Sequence, residues 1–454
     1  MKNEVIECTI KRIMKNSETA NSLASLEDHF ATKMSTKSSV MSLETGVTQG
    51  SEMSIVVRNA TLVSGYSILT KSMIGSGIFF MAFACSKFGI LAALFMLGLS
   101  AALTWLSVRA LSILAIEFKE IQPTFYSISE QIIPRMKWLL DVAVMLNCTG
   151  ASSGYIITAG DFVSKGLFGI FHWDVEKFSV SSACLIVQVA MVVLLAPLCY
   201  MKQLTSTRFA NYLGLASLLY IVVVTFVYCD ASAASTDLLY MGSVLSAMGA
   251  FPTFIFAFTC HMNVFQIANE LKEPTVKRMN IIGMTSTLTG LLVYVPIMIL
   301  PFLTYGSALE PNYLGNFDSS LVPVQVAYIL AGIAVSITYV LQVHPLRRSI
   351  LSVYYRGRIP KHREELRNRI IVVTLILMTT FTIAVTLKKI DVVTNFTGLL
   401  GANTMCFVMP SILYLKHFGI KKDVFGLSVL ALLVFSIALY PLCLTGIIYD
   451  MVNA

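Results

Sequence analysis

Apolar segments long enough to cross a lipid bilayer follow one another along most of this chain. About 20 consecutive apolar residues span the hydrocarbon core as a helix, and the sequence contains eleven such windows. They explain a composition that is 56% hydrophobic and only 13% charged. We therefore predict an all-α integral membrane protein with eleven transmembrane helices. The windows cover residues 60–85, 88–116, 138–170, 180–201, 208–229, 241–270, 279–305, 321–350, 369–387, 391–416 and 421–448.

Lys and Arg residues lie mainly in alternate connections between the windows. If residues 1–58 are cytosolic, the cytosolic segments contain 26 of the 33 Lys and Arg residues, and the opposite loops contain 5. Because cytosolic loops of membrane proteins carry such an excess, the pattern predicts a multi-pass protein with a cytosolic N-terminus. The basic connection 347–369 is suited to contact with anionic lipid. The lipid bilayer therefore explains the net charge of +8, and we expect no nucleic-acid partner.

The first and sixth windows are interrupted near their middle. The first contains Gly75-Ser76-Gly77, and the apolar run of the sixth gives way to Thr259-Cys260-His261-Met262-Asn263. Gly weakens a helix interior, and in hydrocarbon the freed backbone groups must be satisfied by something else. A broken helix whose backbone lines a binding cavity meets this need, and the N–H groups after its break suit a carboxylate. Close helix packing through small residues is the alternative explanation of the glycines.

The two interruptions lie five windows apart, as they would in a five-plus-five inverted repeat with broken helices 1 and 6. This arrangement favours a carrier that holds a small solute at mid-membrane, with the eleventh helix as an addition. We expect no enzyme, because the chain has no His-Glu-x-x-His and no phosphate loop. The nine Cys residues show no zinc spacing, so we also expect no metal site and no cofactor.

Residues 1–58 differ from the windows because they are rich in Ser, Thr, Lys and Glu and lack a sustained apolar period. Such a composition buries too little apolar surface to fold alone. We predict a disordered cytosolic N-terminal tail over residues 1–58 and a transmembrane transporter domain over residues 59–450. The tail lacks a basic start followed by an apolar core, so we expect no cleaved signal peptide.

Three polar side chains near the interruptions are candidates for coupling or gating. Lys71 lies at membrane depth, where a cation needs a partner or water; it is either a tethered or proton-linked cation or a snorkelling side chain. His261 is either a pH-responsive group or a packing residue. Glu270 ends the sixth window and either forms a cytosolic gate with Arg278 or another loop cation, or belongs to an exposed pair at the helix end.

Four blocks of sequence resemble the amino acid/auxin permease family. That family includes sodium-coupled neutral amino acid transporters, lysosomal proton-coupled transporters and fungal vacuolar exporters. The blocks occur in the family's order and span most of residues 60–416. They are Ile74-Gly-Ser-Gly-Ile78 with Phe88-Gly-Ile90, Phe256-Ala-Phe-Thr-Cys-His261 with Glu270-Leu271 and Arg278-Met279, His344-Pro-Leu-Arg-Arg-Ser-Ile350, and Gly398-Leu-Leu-Gly-Ala402 with Pro410-Ser-Ile-Leu-Tyr414.

The resemblance implies a LeuT-like fold of the APC superfamily, alternating access and an amino acid as the substrate. It also implies that the carboxylate and amine of that amino acid meet the backbone at the two breaks. The substrate-binding residues implied in this way are Ser72, Ile74, Gly75, Ser76, Gly77, Phe258, Thr259 and Cys260.

Two positions depart from the family's pattern. Sodium-coupled members have Asn where this chain has Lys71, whereas the vacuolar and proton-coupled branches often have Lys-Ser or Lys-Gly there. A fixed cation would repel sodium from a site shared with Ser336 and Thr338, so we expect a coupling proton rather than sodium. Met81-Ala82 replaces the Leu-Pro of many relatives, which leaves the substrate preference open.

The predicted function is therefore secondary active transport of an amino acid, proton-linked and sodium-independent, with neutral substrates weakly preferred because the site lacks a clear acidic residue. One alternative is an amino-acid-binding membrane sensor that signals through the tail 1–58. Another is a sodium-coupled amino acid symporter. A channel fits poorly, because no charged ring lines a pore. Vacuolar or lysosomal membrane and plasma membrane both remain open.

Overall fold

Helices and their connections make up nearly all of the computed structural model of this protein. It describes residues 60–119, 123–171, 180–201, 207–230, 243–355, 362–387 and 390–453. The predicted tail 1–58 lies outside these residues. The helices are α1 (Leu62–Met73), α2 (Met81–Phe88), α3 (Ile90–Glu117), α4 (Phe125–Ile132), α5 (Lys137–Phe171), α6 (Val180–Tyr200), α7 (Thr207–Tyr228), α8 (Val244–Ala257), α9 (Val264–Glu270), α10 (Val276–Tyr305), α11 (Val322–Tyr355), α12 (His362–Leu387), α13 (Ile390–Phe396), α14 (Met409–Phe418) and α15 (Val424–Asn453).

Each of the eleven predicted windows coincides with helical structure. Within the described residues, nine helices are long and apolar enough to cross a membrane. The first window folds instead as two short helices, α1 and α2, and the apolar part of α7, Leu213–Tyr228, is shorter. The all-helical multi-pass architecture is confirmed, and the count of eleven spans stays a prediction.

Burial separates central helices from peripheral ones. In Asp391–Phe418, 83% of the most apolar stretch is buried, against 22% in Ser181–Tyr200. The peripheral helices expose Leu, Ile and Val, which lipid accepts as readily as a protein core does. Among the central helices, α5 packs along α11, and α8 packs along α15. The interrupted sixth window therefore lies among neighbours that can satisfy its backbone.

The tenth window contains an irregularity that the sequence did not predict. Between α13 and α14 the backbone is π-helical over Thr397–Ala402 and Thr404–Val408. A Cβ added at Gly401 would lie 2.5 Å from the Cα of Asn147 on α5, and one at Gly398 would overlap the carbonyl oxygen of Pro252 on α8. These glycines allow the wide π-helical turns, which often mark functional sites, to press against both central helices.

Candidate functional site

The break in the first window begins where α1 ends. The amide of Ile74 makes the last helical hydrogen bond, 2.8 Å to the carbonyl of Thr70, and Gly75 then leaves helical geometry with φ −104° and ψ −143°. A single 3₁₀ turn, Ser76–Phe79, leads into α2. The first amides of a helical turn have no partner within it, so the backbone around Gly77 presents donors at this point. The predicted break is present.

The sixth window is also broken, between Ala257 and Val264. Helix α8 ends at Ala257, and Cys260 has φ −136° and ψ −3° before a 3₁₀ turn over His261–Asn263 leads into α9. The last carbonyls of α8 therefore face the same region as the backbone donors of the first break. Phe258, Thr259 and Cys260 are all buried.

The two breaks cross at Gly77. A Cβ added there would lie 2.7 Å from the Cα of Ala257 and 2.9 Å from its Cβ. Contacts that short with backbone do not occur without a shift, so only glycine permits this approach. The two explanations of the Gly75-Ser76-Gly77 motif are thus compatible, because the helix is broken and its small residues also allow close packing.

A side-chain hydrogen bond also joins the broken helices. The Nδ2 atom of Asn263, at the start of α9, donates to the Oγ atom of Ser72, in the last turn of α1. Both residues lie in motifs that the sequence singled out, although their pairing could not be deduced from spacing. The structure therefore brings predicted residues of both breaks into one connected unit.

Tyr294 on α10 was missed by the sequence reasoning and contacts both breaks. Its hydroxyl oxygen lies 2.7 Å from the carbonyl oxygen of Met73, at the end of α1, and 2.9 Å from that of Ala257, at the end of α8. The side chain is fully buried, and its ring packs edge-on against Phe258 at 5.3 Å. A tyrosine within an apolar window carries no signal that would have distinguished it from a packing residue.

Tyr155 on α5 forms another wall that the sequence did not indicate. A Cβ added at Gly75 would lie 3.7 Å from the hydroxyl oxygen of Tyr155. The tyrosine is buried, with 4% of its surface exposed. A polar group from a central helix therefore faces the backbone of the first break, where a substrate carboxylate or amine is expected.

His261 belongs to a buried polar cluster that connects three windows. Its Nε2 atom lies 2.8 Å from the Oγ of Ser107 on α3, and that hydroxyl donates to the carbonyl of Cys406 in the π-helical segment. Because Ser107 has a single proton to donate, Nε2 of His261 must carry the proton between them. The Sγ of Cys406 lies 3.8 Å from the Oγ1 of Thr259. The contacts place His261 in a structural link beside the break, and its predicted pH response stays a prediction.

Lys71 is buried within the protein, with 8% of its surface exposed. It makes no hydrogen bond or ion pair with another described residue. Its Nζ atom lies 2.8 Å from the position that a Cβ at Gly214 would occupy, so the ammonium lies against α7. Ser336 and Thr338 lie on α11, where Thr338 donates 2.8 Å to the carbonyl of Ala334 in its own helix. The ion site that we expected them to share with the Lys71 charge stays a prediction.

Glu270 and Arg278 each contact another residue, and the predicted cytosolic gate at Glu270 stays a prediction. The Nη1 atom of Arg278 lies 3.2 Å from a carboxylate oxygen of Glu273, and Glu270 instead accepts from Gln266 at 3.0 Å. Arg278 also donates to the carbonyl of Lys272 at 2.7 Å. The turn after α9 therefore lies against the Arg278 guanidinium and places Glu273 within reach of it.

Backbone hydrogen bonds join the start of the first window to the end of the sixth, near Glu270. The charge pattern predicts that this side of the molecule is cytosolic. The amide of Ala60 donates to the carbonyl of Glu270 at 2.9 Å, and the amide of Lys272 donates to the carbonyl of Ala60 at 2.9 Å. The start of the first window is thereby paired with the end of the sixth. The contact involves Glu270 through its backbone and not through its carboxylate.

A separate cavity of about 750 Å³ lies between α5, α6, α12 and the segment around Asn312. Its walls include Asp161, Glu310 and Asp391. It contains none of the predicted site residues, and it is therefore a second place where a solute could be held.

Comparison with known proteins identifies relatives that are amino acid transporters. The family model for transmembrane amino acid transporter proteins matches residues 58–453. Vacuolar amino acid transporter 5 of Schizosaccharomyces pombe is 23% identical over 353 residues, which cover 76% of this chain and 82% of the relative. Vacuolar amino acid transporter 6 of Saccharomyces cerevisiae is 27% identical over 308 residues, 64% of this chain and 66% of the relative. Sodium-coupled neutral amino acid transporter 7 of Mus musculus is 24% identical over 290 residues, 60% of each chain.

A solved structure shares the fold. The crystal structure of MhsT in complex with L-phenylalanine matches with a TM-score of 0.57 at 13% sequence identity, over 84% of this chain and 98% of that chain. At this identity the likeness concerns the fold alone. It confirms the predicted LeuT-like arrangement with broken first and sixth windows.

Proposed function

We propose that this chain, which belongs to the transmembrane amino acid transporter family, is a proton-linked and sodium-independent carrier of neutral amino acids. The resemblance to the amino acid/auxin permeases is thereby confirmed at the level of the family. One observation carries the proposal: the two broken helices meet, with α1 and α8 ending within hydrogen-bond reach of one hydroxyl. Helix ends and unwound backbone of this kind bind substrates and ions in carriers.

The substrate preference is inferred from the side chains at the breaks. The described residues 72–79 and 257–263 contain no Asp or Glu, so a cationic substrate side chain would have no carboxylate there. The backbone donors near Gly77 suit the carboxylate that every amino acid carries. A neutral amino acid therefore fits the site better than Lys or Arg does.

Lys71 supports the proposed coupling. A buried lysine that pairs with no residue in the described part of the chain is costly in a membrane, so its charge state is sensitive to its surroundings. Such a lysine can take up and release a proton during a transport cycle, and while charged it repels sodium. We propose that Lys71 supplies the positive charge that sodium supplies in sodium-coupled carriers.

The membrane is inferred from the relatives. Two of them are named for the vacuole, and the proposed proton linkage suits an organelle with an acidic interior. We propose a vacuolar or lysosomal membrane for this chain, with residues 1–58 in the cytosol as the charge distribution indicates.

A sodium-coupled symporter is the second candidate, and the relative from Mus musculus favours it through its printed name. The two candidates differ in the gradient that drives uptake. Labelled neutral and cationic amino acids are offered to proteoliposomes under an inward proton gradient and, separately, an inward sodium gradient. We expect saturable, proton-stimulated uptake of neutral substrates; sodium-stimulated uptake would overturn the proposed coupling and leave amino acid transport standing.

The role of Lys71 is tested with the variant Lys71→Asn in the same assay. We expect it to lose proton stimulation while it still binds substrate. Lys87→Asn is the matched control, because Lys87 lies on α2 of the same broken window and its Nζ rests on the ring of Phe83, 5.2 Å from the centroid. If Lys71→Asn and the parent show the same ion dependence, the proposed role of Lys71 is wrong.

A further inference from the structure

The ends of two broken helices converge on a single oxygen atom. The carbonyls of Met73 and Ala257, at the C-terminal ends of α1 and α8, lie 2.7 and 2.9 Å from the hydroxyl oxygen of Tyr294. The last carbonyls of a helix have no partner within it and carry the negative end of the helix dipole. Two such ends at one point form an electronegative site that needs a positive partner.

A cation is the usual partner at such a point in a carrier. Half-helix C-terminal ends and unwound carbonyls coordinate Na⁺ or H⁺ at the midplane of broken-helix transporters. Here a hydroxyl proton occupies the point of convergence. We propose that the Tyr294 hydroxyl takes the place of a bound cation and holds the ends of α1 and α8 together without an ion. The inference rests on the proposed sodium-independent carrier and explains how its site is held together.

The packing around Tyr294 fixes the hydroxyl in this position. The side chain is fully buried, and its ring packs edge-on against Phe258 at 5.3 Å. One turn earlier on α10, a Cβ added at Gly290 would lie 2.9 Å from the Sδ of Met73 and 3.4 Å from the Phe258 ring. Helix α10 therefore approaches both breaks closely, and the ring cannot swing away without displacing them.

The Tyr294 hydroxyl has one proton to donate to the two carbonyls of Met73 and Ala257. It therefore neutralises less of their negative charge than a bound cation would. Met73 has a further donor, because its carbonyl also accepts from the amide of Gly75 at 2.9 Å. When the hydroxyl is removed, both helix ends keep their partial negative charge and a small void opens between them. A void lined by carbonyl oxygens is a ligand set for a hard cation such as Na⁺.

The test compares Tyr294→Phe with Tyr328→Phe. Tyr328 is the matched control because it is also buried and its hydroxyl donates to two backbone carbonyls, those of Leu314 at 2.9 Å and Phe317 at 3.3 Å, away from the breaks. Melting temperature and affinity for a neutral amino acid are measured on the full-length protein in sodium chloride and in choline chloride.

We expect Tyr328→Phe to lose stability equally in both salts and to keep its substrate affinity. Tyr294→Phe is expected to lose roughly tenfold in affinity in choline chloride, the effect of orphaning a buried acceptor, and to regain stability and affinity as sodium is added. The parent is expected not to respond to sodium. Equal behaviour of the two variants, or no sodium response in Tyr294→Phe, would overturn the inference.

A second variant, Tyr294→Ser, removes both the ring and the phenolic oxygen and leaves room for an ion. It is expected to be recovered as folded protein only when sodium is present during purification. If neither Tyr294 variant can be recovered in sodium while Tyr328→Phe folds normally, the inference is also overturned. If the unsubstituted protein itself requires sodium for stability or substrate affinity, the proposed sodium independence is wrong. That result is distinct from the results above, because those concern only the Tyr294 variants.

Discussion

Single residues at the breaks set how closely the two helices approach. Gly77→Ala places a Cβ 2.7 Å from the Cα of Ala257, which is backbone and cannot rotate away. We expect a loss of about 1–3 kcal/mol of stability and strongly reduced uptake. The control is Gly98→Ala on α3, where an added Cβ meets nothing within 4 Å. Melting temperature and uptake are measured on both variants, and equal effects would contradict the crossing at Gly77.

Gly214 on α7 lies against the end of the Lys71 side chain, and not against backbone as Gly77 does. Gly214→Ala brings a methyl group to within 2.8 Å of the Lys71 ammonium, but the end of a lysine side chain is flexible and can move. We therefore expect a change in stability of less than about 1 kcal/mol, within the range of well-tolerated substitutions. Proton-stimulated uptake is expected to fall because the ammonium is displaced. Uptake equal to that of Gly98→Ala would show that the position of Lys71 does not matter.

The residues that the sequence identified are those that break a rule for membrane helices. Gly75, Gly77 and Lys71 stand out in an apolar window because each has a cost there. Tyr155 and Tyr294 do not stand out, since a tyrosine fits an apolar helix and its hydroxyl partners come from distant windows. For the same reason the contact of Lys71 with Gly214, instead of with Ser336 or Thr338, could not be read from spacing.

Among the elements, the bond between Ser72 and Asn263 links the last turn of α1 to the start of α9. A double-mutant cycle with Ser72→Ala, Asn263→Ala and the double variant isolates this link. We expect a coupling of about 0.5–1.5 kcal/mol in thermal stability, the usual contribution of one hydrogen bond. Additive single effects would mean that the two helices are not held together by this bond.

The long helices and the breaks in the first and sixth windows were predictable at this scale, and the irregular geometry of the tenth window was not. The apolar windows predict the long helices because a bilayer demands a fixed length of apolar residues. The π-helical turns at Thr397–Ala402 depend on Gly398 and Gly401 pressing against Pro252 and Asn147. Those contacts belong to the packed molecule, so a glycine in the sequence indicates a possible distortion without giving its form.

For the whole molecule, the family and the fold account for residues 58–453, and residues 1–58 are almost entirely outside that match. If the tail is a regulatory or targeting segment of a carrier, its deletion leaves the transport mechanism intact. We expect the protein lacking residues 1–58 to show saturable uptake at a rate within about twofold of the parent. Binding without uptake in the full chain, together with loss of signalling on deletion, would instead support the sensor alternative.

We propose that an amino acid binds where the two broken helices meet. The most direct test is a cryo-electron microscopy map of the protein in lipid nanodiscs, with and without a saturating neutral amino acid. We predict added density at the breaks, with the carboxylate near the Gly77 amide and the remainder near Phe258–Cys260. Density in the cavity lined by Asp161 and Asn312, with the breaks unchanged, would contradict the claim.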